Sequence, residues 1–267
     1  KIPMERRSAS LARNACYRIR LVDKCAYYAI TMDVEYDFRP AFTLMTANLG
    51  PGESLKVEPG AMVAQSRGVD MKTGMGSGGG IGGFLKSVVK SAVGGESFFV
   101  NTYTAGGSGG WVSLAPSAPG DIMEFHLAPG EEFFMQGGAF MACTPSVDMD
   151  TKFQGAKSLF SREGAFFLRA HAPRGVEGKV FYTSYGAIKE IEVSPNAPVV
   201  VDTGHVVAFT TGLSYNVSKV GGLGSAIFGG EGLVLEFNGS GKVYIQTRNM
   251  ESLATRLMPF MPTARSN

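Results

Sequence analysis

The fold is decided by three stretches that share one pattern: Gly50-Pro-Gly-Glu-Ser-Leu-Lys-Val-Glu-Pro59, Gly120-Asp-Ile-Met-Glu-Phe-His-Leu-Ala-Pro129 and Gly186-Ala-Ile-Lys-Glu-Ile-Glu-Val-Ser-Pro195. In each, a glycine stands nine positions before a proline, and apolar residues stand four and two positions before that proline. This alternation is typical of a half-buried β-strand. The proline lacks the N–H that a continuing strand would need, so it marks the strand end. We interpret these glycines and prolines as equivalent structural positions of an internal threefold repeat.

Further segments recur downstream of each stretch. The sequence Val69-Asp-Met-Lys-Thr73 resembles Val147-Asp-Met-Asp-Thr151 and, more loosely, Leu213-Ser-Tyr-Asn-Val217. Strongly apolar strands follow at residues 98–100, 166–168 and 233–235, and turns lead from them to strands near residues 111, 180 and 243. Apolar strands joined by glycine-containing loops are typical of β-hairpins.

These repeats predict an all-β fold: three tandem β-sandwich or short double-stranded β-helix repeats in one compact body, with a little helix. The repeat prolines are 70 and 66 residues apart, which suits a unit of several strands. We divide a three-repeat β domain, residues 32–250, at about 41–110, 111–180 and 181–250. Residues 1–31 form an N-terminal extension, and residues 251–267 form a C-terminal tail that continues a short helical turn begun at Met250. Adjacent units or a neighbouring subunit would cover the exposed edge strands.

The N-terminal extension differs in charge from the rest of the chain. Its net charge is +5, whereas that of the whole chain is +2, so the remainder of the chain has a net charge of −3. Two interpretations stay open: an Arg-rich targeting segment, or residues upstream of a natural start at Met32. Because the remainder is slightly acidic, we expect no nucleic-acid partner. Three cysteines without a C-x-x-C pair indicate a reducing compartment, and no run suits a membrane span, so we expect a cytoplasmic protein, free or membrane-associated.

The sequence contains no pattern that indicates a catalytic, cofactor or metal site. Gly74-x-Gly76-x-x-Gly79 has the spacing of a dinucleotide fingerprint, but it lies in a glycine-rich run and the chain lacks the strand–helix alternation of a parallel sheet. Cys143 lies in an apolar strand, as buried free thiols usually do. The histidines occupy different positions of the repeats and form no ligand pair: His126, His171 and His205. We therefore expect no cofactor, no metal and no enzymatic activity.

One amphipathic segment is the strongest candidate for an interaction surface. Residues 81–93 would place Lys86 and Lys90 on one helical face and apolar side chains on the other. The apolar face consists of Ile81, Phe84, Leu85, Val88 and Val89. Such a helix could lie on a membrane surface or contact a partner. It could also pack over the open end of its own β unit.

Several motifs in order carry a family resemblance. They are the run from Gly50 to Pro59-Gly60-Ala61-Met62, then Gly94-Gly95-Glu96-Ser97-Phe98-Phe99, then Gly138-Ala139-Phe140. Over roughly residues 32–248 the chain resembles the uncharacterised bacterial and archaeal family related to the mitochondrial altered-inheritance-of-mitochondria protein 24. The resemblance implies a fold like that of the tryptophan RNA-binding attenuation protein, with β-sandwich units in a ring, and a homotrimer. It implies no catalytic residues, and the mitochondrial relative is associated with inner-membrane organisation.

The sequence therefore predicts a protein of unknown function that acts as a non-enzymatic, oligomeric scaffold or interaction protein, with a trimer favoured and a protein or membrane surface as partner. The alternative is a small-ligand-binding protein or enzyme with a pocket between β units. A concave apolar pocket with a few convergent polar groups would favour the alternative.

Overall fold

The computed structural model describes residues 32–75, 99–150, 167–219 and 233–261. Most of these residues lie in β-strands, which confirms the all-β prediction. The strands are β1 Asp33–Asp37, β2 Leu44–Leu49, β3 Ser54–Val57, β4 Met62–Gln65, β5 Val69–Met75, β6 Phe99–Ala105, β7 Gly110–Leu114, β8 Ile122–Leu127, β9 Glu132–Gln136, β10 Phe140–Cys143, β11 Asp148–Asp150, β12 Phe167–His171, β13 Gly178–Thr183, β14 Ile188–Val193, β15 Val199–Asp202, β16 Val206–Thr210, β17 Leu213–Lys219, β18 Leu233–Gly239 and β19 Gly241–Gln246. Helix α1 spans Met250–Leu257, and 3-10 turns occupy Gly137–Ala139, Thr203–His205 and Met258–Phe260.

The strands repeat one pairing scheme three times. We call β2–β7 unit 1, β8–β13 unit 2 and β14–β19 unit 3. In every unit the last strand pairs with the first and third strands, and the fifth strand pairs with the second and fourth. Each unit therefore contributes two three-stranded sheets, and β1 adds an outer strand beside β2.

The two sheets of each unit enclose an apolar core, because alternate residues of each strand face inward. Residues of the neighbouring unit contribute to each core, as Met141 of unit 2 does to that of unit 1. The core of unit 1 includes Met45, Leu55, Tyr103 and Val112. The core of unit 2 is centred on Phe133, Phe140 and Tyr182, and that of unit 3 on Phe209, Phe237 and Val243. Burial of such side chains, about 1.5–3 kcal/mol for each fully buried large one, is the main force that holds the layers together.

Neighbouring units share continuous sheets. At each unit junction, the second strand of one unit pairs antiparallel with the third strand of the next. Between units 1 and 2, β3 pairs with β10, so that Val57 lies opposite Ala142. Between units 2 and 3, β9 pairs with β16, so that Met135 lies opposite Ala208. The three units thus form one open row, joined twice in the same way.

The hydrogen bonds of the turns correct the predicted alignment of the first repeat. Glu53 Oε2 accepts from Gly50 N at 2.8 Å, and Glu131 Oε2 accepts from Ala128 N at 2.8 Å. Both turns follow the first strand of their unit, so Pro51, not Pro59, is equivalent to Pro129 and Pro195. Gly50 and Pro59 flank a second strand, whereas Gly120–Pro129 and Gly186–Pro195 flank first strands. The error arose because alternation with a period of two fits either strand.

Candidate interaction surface

Two edge strands lack the partner that their counterparts have. The sheet β1-β2-β7-β4 ends at β4, and the sheet β15-β18-β17 ends at β15. Strand β4 is a third strand, like β10 and β16, both of which are paired at unit junctions. Strand β15 is a second strand, like β3 and β9, which are paired there too. Within the described ranges, the row therefore has one open edge of each kind at its two ends.

A shared irregularity fixes the equivalence of the third strands. Each pairs with the last strand of its unit and shifts its register by one residue at a bulge. The shift lies between Met62 and Ala64 in β4, between Phe140 and Ala142 in β10, and between Val206 and Ala208 in β16. Val63 is therefore the counterpart of Met141 and Val207.

Burial differs sharply between these equivalent positions. Val63 is 59% exposed, whereas Met141 and Val207 are each 1% exposed. Met62 is 40% exposed, whereas its counterparts Phe140 and Val206 are buried. The difference arises because β10 and β16 lie inside continuous sheets and β4 does not. At the opposite open edge, Val200 of β15 is 61% exposed.

The loop that precedes unit 1 also presents apolar side chains. Phe38 and Phe42, at the ends of the 38–42 loop, are each 72% exposed. Arg39 anchors this loop by donating from Nε and Nη2 to the two carboxylate oxygens of Asp121, at 2.9 and 3.1 Å. Asp121 is buried, and its Oδ1 also accepts from Thr43 Oγ1 at 2.9 Å. A bidentate pair with a buried carboxylate holds the loop in one position.

The C-terminal helix α1 has no buried residue. Asn249 caps it, accepting from the backbone N–H groups of Glu251 and Ser252. Met250, Leu253 and Leu257 lie on one face, since residues three and four apart are neighbours on a helix. Exposed apolar residues continue after the helix through Met258, Phe260 and Met261. An eight-residue helix is marginal in water without packing, so this apolar face needs a partner.

A pocket of about 400 Å³ lies where the connections between units approach α1. Its lining includes Gln136, Thr183, Tyr185, Asn249 and Glu251. Gln246, at its wall, is already engaged: its Oε1 accepts from Tyr185 N at 2.9 Å, and its Nε2 donates to Gly204 O at 2.9 Å. Polar and apolar groups share the lining about equally, so the pocket is less apolar than the kind that would favour a ligand site.

Burial shifts the pKa of two groups, the half-buried Glu58 and the fully buried Cys143, and neither forms a reactive site. Burial raises the pKa of Glu58, which follows β3, to about 7. Burial raises the pKa of the Cys143 thiol to about 12, more than the nearby Lys56 lowers it. A thiol in this environment stays protonated and unreactive.

The structure does not bring the predicted polar candidates together. His126 lies 3.6 Å from the Glu124 carboxylate, while His205 Nδ1 lies 2.7 Å from Gln246 O in another unit. Across the described ranges, no three His, Cys, Asp or Glu side chains are grouped to hold a metal. Gly74 lies in β5; Gly76 and Gly79 lie outside the described residues, as do Ile81, Phe84, Leu85, Val88 and Val89 of the predicted interaction helix.

The sequence predicts that edge strands need a neighbour, but it does not identify β4 and β15 as the two that stay open, and the reason is visible there. The third strands read Met-Val-Ala-Gln, Phe-Met-Ala-Cys and Val-Val-Ala-Phe-Thr, so all three predict burial equally well. The available signal was positional: only a repeat with no further unit beside it can have an unpaired edge.

Comparison with known proteins supplies the family. A model of the family described as "Mitochondrial biogenesis AIM24" matches residues 34–248. The chain belongs to this AIM24 family. An uncharacterized protein of Streptococcus pyogenes serotype M6 is 32% identical over 225 residues, covering 84% of this chain and 88% of that protein. The crystal structure of a Streptococcus pyogenes protein is similar at 28% identity with a TM-score of 0.69, covering 86% of this chain and all of that one. In this AIM24 protein, the described part includes no helix long and apolar enough to cross a membrane.

Proposed function

We propose that this AIM24 protein is a non-enzymatic scaffold or interaction protein whose protomers assemble head to tail, with β4 of one protomer pairing with β15 of the next. The observation that carries the proposal is the exposure of Val63 at a position whose two counterparts are buried. A position that is covered twice within the chain is expected to be covered a third time by a second copy of the same chain.

The two junctions within the chain give the register of this pairing. Ala142 lies opposite Val57, and Ala208 lies opposite Met135. Ala64 is the counterpart of Ala142 and Ala208 in the third strands, and Val201 is the counterpart of Val57 and Met135 in the second strands. We therefore expect Ala64 to lie opposite Val201 of the next protomer. Glu58 N also donates to Met141 O at 2.7 Å. Its counterpart would be a bond from Asp202 N of one protomer to Val63 O of the other.

Such an interface uses different surfaces on the two protomers. It is therefore heterologous, and it generates a ring if the rotation closes and a filament if it does not. We favour a closed homotrimer, in which three chains of three units form a ring like that of the tryptophan RNA-binding attenuation protein. In a closed ring every β4 pairs with a β15, whereas a filament leaves one β4 and one β15 unpaired at its ends.

Light scattering over a dilution series tests the proposal. A constant mass of three chains supports the ring. A mass that grows with concentration supports head-to-tail pairing but overturns the trimer. A monomer at all concentrations overturns the proposal and directs attention to the alternative of a ligand-binding protein or enzyme, for which the pocket beside Tyr185 is the candidate site.

A membrane-peripheral role and a cytoplasmic location complete the proposal. The support for membrane contact is the apolar face and paired lysines of residues 81–93 in the sequence. Flotation with vesicles of neutral or anionic lipid would test it, with Phe84→Ser and Val88→Ser together as the variant. Flotation of the wild type and loss in the variant is the expected result. Absence of the wild type from both kinds of vesicle would overturn it.

A further inference from the structure

Backbone hydrogen bonds also link the segment that leads into one unit to the segment that leads into the next unit. The residue before the first strand of each unit is Thr43, Asp121 or Ala187. Thr43 N donates to Gly120 O at 3.1 Å, and Asp121 N donates to Gly186 O at 3.0 Å. Each unit thus contacts the connection that leads into the following unit. Ala187 N donates to Thr247 Oγ1 at 3.0 Å, much as Asp121 N also donates to Ser184 Oγ at 3.4 Å. The carbonyl that would continue this series beside Ala187 is that of Phe42 in the next protomer.

The residues after the last strands follow the same order. Ser184 N donates to Asp121 O at 3.1 Å, and Thr247 N donates to Ala187 O at 3.0 Å. Ser184 is therefore the counterpart of Thr247. Between units 2 and 3 the chain needs only three residues to pass from Ser184 to Ala187, which limits their separation to about 10 Å. With the same geometry between protomers, Thr247 lies within about 10 Å of the next protomer's Thr43.

This placement brings together two apolar surfaces that are exposed in the described part of the chain. Helix α1 begins at Met250, three residues after Thr247, and Phe42 immediately precedes Thr43. From this we infer that α1 of one protomer packs its apolar face against Phe38 and Phe42 of the next protomer, forming a clasp over the head-to-tail interface. The inference rests on the proposed function and adds a second contact to the β4–β15 pairing.

The anchoring of the 38–42 loop suits this role. Arg39 and Thr43 both bind the buried carboxylate of Asp121, so the two phenyl rings are held outward before assembly. Docking on a preorganised loop avoids the entropic cost of ordering it. Helix α1, which has no buried residue within its own chain, gains the packing that a short helix requires.

Cysteine cross-linking tests the clasp. In a chain with Cys16 and Cys25 replaced by serine and buried Cys143 retained, Phe42→Cys and Met250→Cys are made in separate chains, which are then mixed and exchanged. A short bis-maleimide is expected to join the two kinds of chain. As a matched control, Val176→Cys replaces Phe42→Cys, because Val176 is also exposed but lies in the turn between β12 and β13.

The outcomes separate the clasp from the proposed function. An oligomer by light scattering whose 42–250 pair links no faster than the 176–250 control would overturn the clasp and leave the head-to-tail assembly standing. A link formed within one chain, from a doubly substituted protein diluted in unlabelled wild type, would also overturn the clasp. A monomer would overturn both.

A second variant measures how much the clasp contributes to the stability of the oligomer. Leu253→Ser with Leu257→Ser should raise the dissociation constant of the oligomer about tenfold or more, since 1.4 kcal/mol of lost apolar burial corresponds to a factor of ten. The melting temperature of the dissociated chain should not change, because α1 contributes no buried residue to it. An unchanged dissociation constant would contradict the clasp.

Discussion

Replacing Val63 by lysine should dissociate the assembly without unfolding the protomer. Val63 changes from 59% exposed in the isolated chain to the 1% exposure of Met141 and Val207 if β15 of a second copy covers it. Full burial of a valine contributes about 1.5–3 kcal/mol. The fraction buried here therefore corresponds to about 1–2 kcal/mol at each interface. The isolated protomer loses none of this, since Val63 is already exposed to water.

Lysine adds a second penalty to that loss. When β15 pairs with β4, the ammonium group would have to lose its hydration, or the side chain would have to turn out of the interface. Together with the lost burial of Val63, this costs about 3 kcal/mol or more at each interface. That corresponds to a factor of about 100 in each association constant. In a ring of three chains the penalty applies three times.

The assay is light scattering of V63K beside V176K over the same dilution series. Val176 is 39% exposed in the turn between β12 and β13, so its replacement introduces the same charge away from both open edges. We expect V176K to keep the wild-type mass and V63K to be monomeric. The melting temperature of each variant should be no lower than that of the dissociated wild type. If V63K keeps the wild-type mass at the lowest concentration, β4 is not the interface and the reasoning from equivalent strands fails.

Three further predictions concern the stability of the protomer and the reactivity of its thiol. Asp121→Ala should reduce the free energy of unfolding by about 2–4 kcal/mol in urea titrations, because it leaves Arg39 and Thr43 without their acceptor; equal stability would show that the anchor is dispensable. Since burial raises the folded-state pKa of Glu58 to about 7 from 4.5, the protonated form is favoured in the folded state. Stability should therefore fall as the pH rises from 4.5 to 7. Glu58→Gln, which supplies the residue found at the equivalent position Gln136, should lessen that dependence; an unchanged pH profile of urea midpoints would contradict this. With the other two cysteines replaced by serine, Cys143 should react with a thiol reagent at pH 8 only after unfolding, because its pKa is raised to about 12; prompt reaction of the folded protein would disprove its burial.

Much of the fold could be predicted from the sequence because repetition multiplies a weak signal. One alternating stretch such as 122–127 is an uncertain strand, but three in the same context indicate a repeated β unit. The alignment of the first copy was wrong because Gly50–Pro59 alternates as Gly120–Pro129 does. The turn chemistry decides it: Pro51-Gly52-Glu53 and Pro129-Gly130-Glu131 make the same hydrogen bonds, and Gly52 and Gly130 both have positive φ.

The candidate surface could not be predicted in the same way. An apolar pattern predicts that a side chain is buried, but it does not predict which strand buries it. Val63 and Met141 satisfy the same pattern, and only the sheet order shows that one of them lacks a neighbour. Asp121 illustrates the same limit, because its partner Arg39 is 82 residues away and belongs to the loop before unit 1.

A comparison with the other sheet edges shows that β4 differs from an ordinary edge strand. Natural proteins protect exposed edges with charged residues, because an uncharged apolar edge pairs with other chains. The four sheets have eight edge strands in the described ranges. Seven of them contain at least one charged residue: β1, β5, β8, β11, β14, β15 and β17. Strand β4 contains none, and β15 and β17 each contain one charged residue at the last position, Asp202 and Lys219. Strand β4 is therefore the edge least protected against pairing with another chain. The absence of charge at β4 is thus an argument for assembly through this strand that is independent of its exposure.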